Sequence, residues 1–508
     1  MRNVTLREQD LRMRFAHILF VAAVAFAADA SFAGLSVDFA KVVGKVRPAL
    51  HSSGFGPTIC SRKPQGEADI RAMGFEYART HDWALLNSNE RVCDVHHIFP
   101  LMHLDASDPA NYHFAPTDYL LRLTREEMGL KVFYRLGTSI EHSGPKVHFN
   151  SLIPEDFDKV AEIFAATVRH YNRGWAKGFN WGIRYWEIWN EPDGNNNMWC
   201  LPEGDEPDWN PTTPEEKEKL EKRRALFVKF FVTVLKRLKS EFGDEIKVGG
   251  PAMCAYRENW FRPLLEACRE AGVAPDFISW HGYVSDPMVL SAQAELARKL
   301  CDSLGFPKCE LIVDEWHYFN HDDYDWGDLR SADPKTLAKI WEGPDGHNGI
   351  RSAVFALSTL SRLQNSKLEQ AYYYGCRHVG AWGFKDEFSR KYKVFYALKL
   401  FGDLIKGSPE ICESTSEGTV TTFAVRGADG RRRLLVADYG GSERRLEVAV
   451  SGVPAEAKMS CSVLDHQHNL ERLGEGSLGR WLTPEFKDGK LKLTKPDSFC
   501  TAFLVEFE

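Results

Sequence analysis

The 508-residue chain has no surplus of positive charge, no internal repeat and no low-complexity segment. Its 64 lysines and arginines are outnumbered by 71 aspartates and glutamates, which gives a net charge of -7. This balance argues against a nucleic-acid partner, because such partners favour a basic face. After the N-terminal region no apolar run is long enough to span a membrane. With 44% apolar residues, the chain can build one large domain and a smaller one.

The N-terminus has the layout of a secretory signal peptide. Several arginines precede the apolar run from Ile18 to Ala28, and small residues follow up to Ala33. The run is short for a transmembrane helix, and a buried N-terminal helix is the alternative interpretation. We predict that residues 1–33 are a signal peptide, cleaved after Ala30 or Ala33, and that the mature protein is secreted or periplasmic.

Eleven cysteines are too few, at this length, for a small-domain disulfide framework. The odd number leaves at least one thiol free, and most of these side chains are expected to be small buried apolar groups. A bridge between Cys301 and Cys309 is one candidate pairing.

From about residue 46 to 405, strand-like and helix-like segments alternate. The predicted strands are Ala49–Gly54, Glu76–His81, Lys131–Leu136, Ile183–Trp189, Ile246–Gly250, Phe277–His281, Leu311–Asp314 and Ala371–Trp382. Eight strands with helices between them predict a parallel sheet, and at this length a (β/α)₈ barrel. A doubly wound open sheet is the alternative, although the first helix lacks the Gly-rich fingerprint of that class.

Residues 410–508 follow a different pattern, with short alternating runs separated by Gly, Asn, Asp and Pro. This pattern is typical of an antiparallel β-sandwich. The early run Leu35–Val43 has the same character. We therefore predict that a strand within residues 34–45 joins this C-terminal domain, so that both ends of the barrel are tied to it.

Two strands end in glutamates within tryptophan-rich surroundings. The run Tyr185–Asp193 reads Tyr-Trp-Glu-Ile-Trp-Asn-Glu-Pro-Asp, and Leu311–Trp316 reads Leu-Ile-Val-Asp-Glu-Trp. In a barrel, Glu191 and Glu315 would both lie on the rim where the strands end. Two carboxyl groups about 5 Å apart suit retaining glycoside hydrolysis, one as proton donor and the other as nucleophile. The alternative is that one of them is a buried ion-pair partner.

The first of these runs resembles the acid/base motif of clan A glycoside hydrolases, specifically family 39, and Val313–Trp316 resembles the nucleophile motif of that family. The resemblance covers roughly residues 35–400. It implies a barrel with an accessory sandwich, retaining hydrolysis of an oligosaccharide or polysaccharide glycan, and no cofactor. It also implies that Glu191 is the acid/base, Glu315 the nucleophile, and Asn190 the hydrogen-bond partner of the sugar 2-hydroxyl.

Other predicted substrate-binding residues follow from the same resemblance. The run Ser279–Tyr283 is similar to a His-x-Tyr motif, in which Tyr283 contacts the nucleophile and His281 supports the acid/base. Arg79 would hold a glutamate ionised, and His81 would bind sugar hydroxyls. A core histidine at 281 and a structural ion pair between Arg79 and Asp82 are the alternatives.

Near the eighth strand, Trp382 and Phe384 offer an aromatic surface on which a sugar ring can stack, or else are ordinary core residues. Asp314 departs from the resembled motif, in which Thr or Ser more usually precedes the nucleophile. The loops after both motifs are long, and they leave the identity of the sugar open.

Three other functions remain as alternatives. The first two are an endo-acting hydrolase of the same clan and a carbohydrate-binding protein without catalysis. The third is a metallohydrolase built on the Cys93, His96, His97 and His103 cluster, whose spacing matches no strong zinc signature. The acidic run at 322–325 lacks the glycine and glutamate of a calcium loop. We predict no metal site and favour an exo-acting enzyme for a xyloside or arabinoside.

Overall fold

The structure, a computed structural model, describes residues 34–54, 65–83, 91–139, 152–194, 199, 211–375, 382–386, 388–441, 444–473, 482–496 and 499–508. The predicted signal peptide lies outside the described residues. No described helix combines the length and the apolar character needed to cross a membrane.

Eight parallel strands close into a barrel, which confirms the predicted (β/α)₈ fold and excludes the open sheet. The last strand pairs in parallel with the first and completes the ring. The predicted eighth strand is too long, since the observed strand ends at Tyr373. The barrel strands are β2 Ser52–Ser53, β3 Tyr77–Arg79, β4 Lys131–Leu136, β5 Tyr185–Ile188, β6 Lys247–Met253, β7 Phe277–Val284, β8 Glu310–Tyr318 and β9 Gln370–Tyr373.

Helices surround the barrel and have local start signals in the sequence. The longest begins at a capping box in which Thr213 and Glu216 each bond the backbone amide of the other. The α-helices among the described residues are α1 Gln65–Met73, α2 Val95–Ile98, α3 Ala115–Arg122, α4 Phe157–Arg173, α5 Pro214–Phe242, α6 Glu258–Glu270, α7 Val289–Ser303, α8 Trp326–Ser331, α9 Pro334–Glu342, α10 Ile350–Leu363 and α11 Lys393–Ile405.

The remaining strands form one ten-stranded sheet. In order across it they are β15 Asn469–Arg472, β14 Met459–Leu464, β18 Thr501–Phe507, β12 Arg432–Asp438, β11 Val420–Arg426, β10 Glu410–Thr415, β1 Ser36–Lys45, β13 Arg445–Ser451, β17 Lys490–Thr494 and β16 Glu485–Lys487. The sheet curls around a single core, so that Phe486 of the edge strand packs on Phe507, with ring centroids 5.0 Å apart. This is the sandwich-like domain that the sequence predicts.

The N-terminal strand β1 lies inside this sheet, between β10 and β13. It pairs antiparallel with β10 but parallel with β13, so the sheet is mixed and not purely antiparallel as predicted. Parallel strands cannot be joined by a hairpin and need a long connection. For β1 and β13 that connection includes the whole barrel sequence.

The curled sheet packs on the side of the barrel through a shared apolar core. Helix α10 contacts β11 and β12, and Phe401 of α11 stacks on Phe423 with ring centroids 5.8 Å apart. The Tyr439 hydroxyl donates to the backbone oxygen of Ser285 at 2.5 Å, directly after β7. The sheet is therefore anchored close to the strand ends that carry the candidate site.

The described cysteines are free thiols. Cys301 and Cys309 are not bridged but form a thiol–thiol hydrogen bond, and both are buried. The bridge suggested by their spacing is therefore absent from this structure.

Candidate active site

The inside of the barrel is built in layers. An aromatic and aliphatic layer of inward side chains fills the barrel and consists of Phe133, Tyr185, Phe277, Ile312 and Tyr372. Side chains alternate along a strand, so the residues two positions further along point inward one layer higher. That next layer contains the polar side chains of Glu187, Ser279 and Asp314, all fully buried.

Glu191 lies just beyond β5, where the backbone turns sharply. Trp189 and Glu191 both have positive φ angles, 76° and 47°. The Glu191 amide donates to the Ala252 oxygen of β6 at 2.9 Å, which holds the turn against the neighbouring strand. The side chain is partly exposed, and its Oε1 lies 3.0 Å from His281 Nδ1. The turn therefore presents this carboxyl group to the rim of the barrel.

Glu315 lies on β8 within the barrel, and its carboxylate accepts two strong hydrogen bonds. Arg79 Nη1 donates to one oxygen at 2.8 Å and the Tyr283 hydroxyl to the other at 2.6 Å. Burial raises the pKa of Glu315, while the charges of His281 and Arg79 and the Tyr283 hydrogen bond act in the opposite direction. Without these donors, an ionised carboxylate at this depth would be strongly disfavoured.

Arg79 connects the buried acids. Its Nε donates to Glu187 at 2.7 Å and its Nη2 to the Asn190 side-chain oxygen at 2.8 Å. Nη2 also lies 3.1 Å from Asp314. Burial alone would lower the pKa of Arg79, but the surrounding carboxylates raise it above its usual value. These contacts replace the Arg79–Asp82 ion pair that was the alternative interpretation, and they fix the orientation of the Asn190 amide.

His281 lies between the two glutamates. Its Nδ1 is 3.0 Å from Glu191 and 3.5 Å from Glu315, and its Nε2 is 3.8 Å from Asp314. Burial alone would lower the pKa of His281, but the nearby acids raise it to about 10. The ring is thus positively charged near neutral pH, and it is not an uninvolved core histidine.

His81 reaches the same group of residues from β3. Its Nε2 lies 3.3 Å from Asp82 and 3.5 Å from Glu315. Burial lowers the pKa of His81 well below its usual value, despite the charge of Asp82. A neutral imidazole here can both donate and accept hydrogen bonds, as sugar hydroxyls require.

One of the two predicted stacking residues lies beside this site and the other does not. The Trp382 ring centroid is 5.9 Å from that of Tyr283 and 5.4 Å from that of Tyr374, and the indole is partly exposed. Phe384 is fully buried and packs against Phe75 and Phe395. Its ring offers no face to a sugar, so Phe384 acts as a core residue in this structure.

Several neighbours of the site were not identified from the sequence. Glu187 could have been found, because it alternates with Tyr185 on the inward side of β5 and is a lone charge in an apolar run. The Tyr374 hydroxyl bonds Asp82 at 2.9 Å, and Trp326 of α8 packs edge-on against Tyr283 with centroids 5.2 Å apart. Tyr374 directly follows β9 and Trp326 is the first residue of the short helix α8, so no periodic signal in the sequence marks the direction of either side chain.

The Cys93–His103 region has a structural explanation. Asp94 accepts hydrogen bonds from Arg135 at 2.6 Å and from the Ser139 amide and hydroxyl, each at 2.8 Å. Within the described part of the chain, no group of three or more His, Cys, Asp and Glu side chains is arranged to hold a metal ion.

A closed parallel barrel with two glutamates near the carboxyl ends of its strands is the architecture of a large class of glycoside hydrolases. The chain belongs to glycosyl hydrolases family 39, whose model matches residues 33–303. The matched segment contains Asn190 and Glu191. Glu315 lies beyond it, so its place in the site follows from the position of β8.

Two curated relatives are named β-xylosidases. The one from Caldicellulosiruptor saccharolyticus is 29% identical over 226 residues, covering 42% of this chain and 38% of that protein. The one from Geobacillus stearothermophilus is 27% identical over 223 residues, covering 42% and 37%. The chain thus matches under two-fifths of the length of either relative.

Among solved structures, a glucosidase from Croceicoccus marinus has the same fold across nearly the whole chain. Its TM-score is 0.68, and the alignment covers 94% of this chain and 100% of that one at 19% sequence identity. At that identity the likeness concerns the fold alone.

Proposed function

We propose that this protein is a secreted, retaining glycoside hydrolase that removes a xylose- or arabinose-like unit from the end of a glycan. The convergence of Glu191 and Glu315 on the same nitrogen of His281 carries the proposal. The two carboxylate oxygens that contact this nitrogen can be no further apart than the sum of the two contacts. This limit is compatible with the roughly 5 Å spacing of the carboxyl groups in retaining glycosidases.

In the first half of the reaction, a Glu315 oxygen attacks the anomeric carbon as the bond to the leaving oxygen breaks. Glu191 transfers its proton to that oxygen, so the aglycone leaves as an alcohol and the sugar is esterified to Glu315. Arg79 and Tyr283 keep Glu315 ionised and aimed before attack. The protonated His281 holds Glu191 against the site through Nδ1.

In the second half, Glu191 is a carboxylate and takes a proton from water. The oxygen of this water attacks the anomeric carbon and the ester bond to Glu315 breaks. Glu191 is then protonated again and Glu315 is again a carboxylate. Two displacements at the same carbon preserve its configuration. Asn190, whose amide is oriented by Arg79, is placed to donate to the sugar 2-hydroxyl.

The substrate proposal is supported by the names of the two curated relatives and by the aromatic surroundings of the site. Tyr283, Trp326 and Trp382 form a cluster beside the nucleophile, with the two tryptophan centroids 6.2 Å apart. Such rings stack on the apolar faces of pyranoses. An aromatic wall next to the nucleophile favours a pocket for one terminal sugar over an open groove for a polymer.

Product analysis tests the mechanism. We expect ¹H NMR during hydrolysis of an aryl β-xyloside to show the product anomer with the configuration of the substrate, before mutarotation mixes the two forms. A panel of aryl glucosides, arabinosides and galactosides serves as the comparison for the sugar. Initial appearance of the opposite anomer would reject the double displacement.

Export is proposed from residues 1–33, whose charged start, apolar run and small residues are those of a signal peptide. Expression with this segment is expected to place the protein outside the cytoplasm with Ser31 or Gly34 as its first residue. N-terminal sequencing of the exported fraction measures this. An intact first residue on protein retained in the cytoplasm would contradict it.

A further inference from the structure

Three buried carboxyl groups face one guanidinium at the centre of the site. Glu187, Asp314 and Glu315 each lie within 3.1 Å of an Arg79 nitrogen, and their side chains are 0%, 0% and 5% exposed. Burying a charge is unfavourable unless it is paired and hydrogen-bonded. The hydrogen-bond partners of each carboxyl group therefore indicate whether it is ionised or protonated.

Two of the three acids are fully supplied with donors. Glu187 accepts from Arg79 Nε at one oxygen and from the Ser279 hydroxyl at the other, both at 2.7 Å. Glu315 accepts from Arg79 and from Tyr283. Both groups are thus solvated by the protein as carboxylates.

Asp314 is different, because neither of its oxygens accepts a hydrogen bond from the described residues. Arg79 Nη2 is close, at 3.1 Å, but its hydrogen bond is directed to Asn190 instead. The carboxyl group of Glu187 is its neighbour on the same guanidinium, at Arg79 Nε where Asp314 lies beside Nη2. Two neighbouring buried carboxylates repel, whereas a carboxylic acid and a carboxylate can form a strong hydrogen bond.

The charge balance favours the same state. The charged groups that face Asp314 are Arg79 from β3, Glu187 from β5, His281 from β7 and the adjacent Glu315. With both basic groups protonated, ionisation of all three acids leaves one excess negative charge among buried side chains. One proton on Asp314 brings this set to neutrality.

We propose that Asp314 is a protonated positioning residue whose carboxyl O–H donates to Glu187, so that the charge of Arg79 is available to the nucleophile Glu315. This inference rests on the proposed hydrolase function of the same site. Burial and the neighbouring Glu187 charge raise the pKa of Asp314 well above its usual value, against the opposing effects of Arg79 and His281. The aspartate that departs from the resembled motif thus acquires a role in the site.

Substitution by asparagine tests the proton directly. An asparagine at 314 has the shape of a protonated aspartic acid and can donate to Glu187 while its oxygen faces Arg79. We expect Asp314→Asn to keep kcat/KM within about threefold of the parent, with the acidic limb of its pH profile unmoved. Were Asp314 ionised, the same substitution would remove a negative charge beside Glu315 and move that limb to lower pH by about one unit or more. That shift overturns the proposal.

Glu187→Gln is the matched control, since it removes a charge that we assign as ionised. It is expected to move the acidic limb to lower pH and to lower kcat/KM, because a glutamine cannot accept from both Arg79 and Ser279. Asp314→Ala, which removes the additional hydrogen bond that Asp314 donates to Glu187, is expected to unfold at a lower temperature than Asp314→Asn. Equal pH profiles for Glu187→Gln and the parent would place the proton on Glu187 and overturn the assignment.

A measurement independent of turnover separates this inference from the proposed function. The difference between the infrared spectra of the folded parent and Asp314→Asn near neutral pH should contain the carbonyl band of a protonated carboxylic acid, since the contribution of the proton donor Glu191 is common to both and cancels. A parent protein that gives this difference band but cleaves no glycoside would reject the hydrolase proposal and keep the buried proton. A difference spectrum without the band would overturn the assignment.

Discussion

Replacing Glu315 by alanine is expected to lower kcat/KM by roughly 10⁴-fold or more, because no other described carboxylate has the same pair of donors and access to the anomeric carbon. The variant should nevertheless fold, since the substitution removes one of three acids that share Arg79. Its free energy of unfolding is expected to match or exceed that of the parent. Initial rates on an aryl glycoside and chemical denaturation measure the two effects.

Glu191→Ala is the matched control for this prediction. It removes the proton donor but keeps the nucleophile, so aryl glycosides with acidic leaving groups should lose much less activity than unactivated glycosides. Glu315→Ala should lose activity on both kinds of glycoside to the same extent. Unimpaired turnover by Glu315→Ala, or an identical dependence on the leaving group in the two variants, would show that the roles are assigned incorrectly.

Arg79→Leu is expected to destabilise the fold by about 3–5 kcal/mol, because it leaves buried carboxyl groups without their cation. The loss should depend on pH. A carboxyl group whose pKa is raised in the folded state binds more protons there than in the unfolded chain, so stability falls as pH rises from the unfolded pKa through the folded one. Removal of the Arg79 charge raises the pKa of these buried carboxyl groups in the folded state further. The deficit relative to the parent should therefore be larger near neutral pH than at about pH 5.

Denaturant titrations at the two pH values measure this difference. Arg262→Leu is the control, since that arginine pairs with Glu258 on the exposed face of α6 and its loss should change stability little at either pH. Should Arg79→Leu fail to fold near neutral pH, Arg79→Lys retains the charge and should recover part of the stability. A deficit for Arg79→Leu that is independent of pH would contradict the electrostatic explanation.

The barrel and its two rim glutamates could be predicted from the chain because they depend on local and periodic signals. Apolar runs that alternate with helical patterns define the eight strands, and Pro192 marks where the first motif leaves the sheet. Parallel strands place their carboxyl ends at one edge, so Glu191 and Glu315 could be assigned to the same rim although 123 residues of sequence lie between them.

Partnerships inside the barrel could not be predicted, because they depend on which inward side chains share a layer. Arg79 was expected to act on a glutamate, yet its choice of Glu187, Asp314 and Asn190 depends on the stagger of β3, β5 and β8. Phe384, in contrast, was predicted to bind substrate and is a core residue. An aromatic residue near the last strand can line a sugar site or the core, and its direction depends on packing against Phe75 and Phe395.

The position of β1 has a consequence for how the molecule is made. The first strand of the described chain is held in the interior of a sheet whose other strands lie after residue 409, and its register pairs Ser36 with both Thr415 and Ala449. Such contacts have very large sequence separation, and closing them is slow. The sheet therefore completes after the barrel sequence has been synthesised, and removal of β1 or of β18 opens the sheet between interior strands and not at an edge.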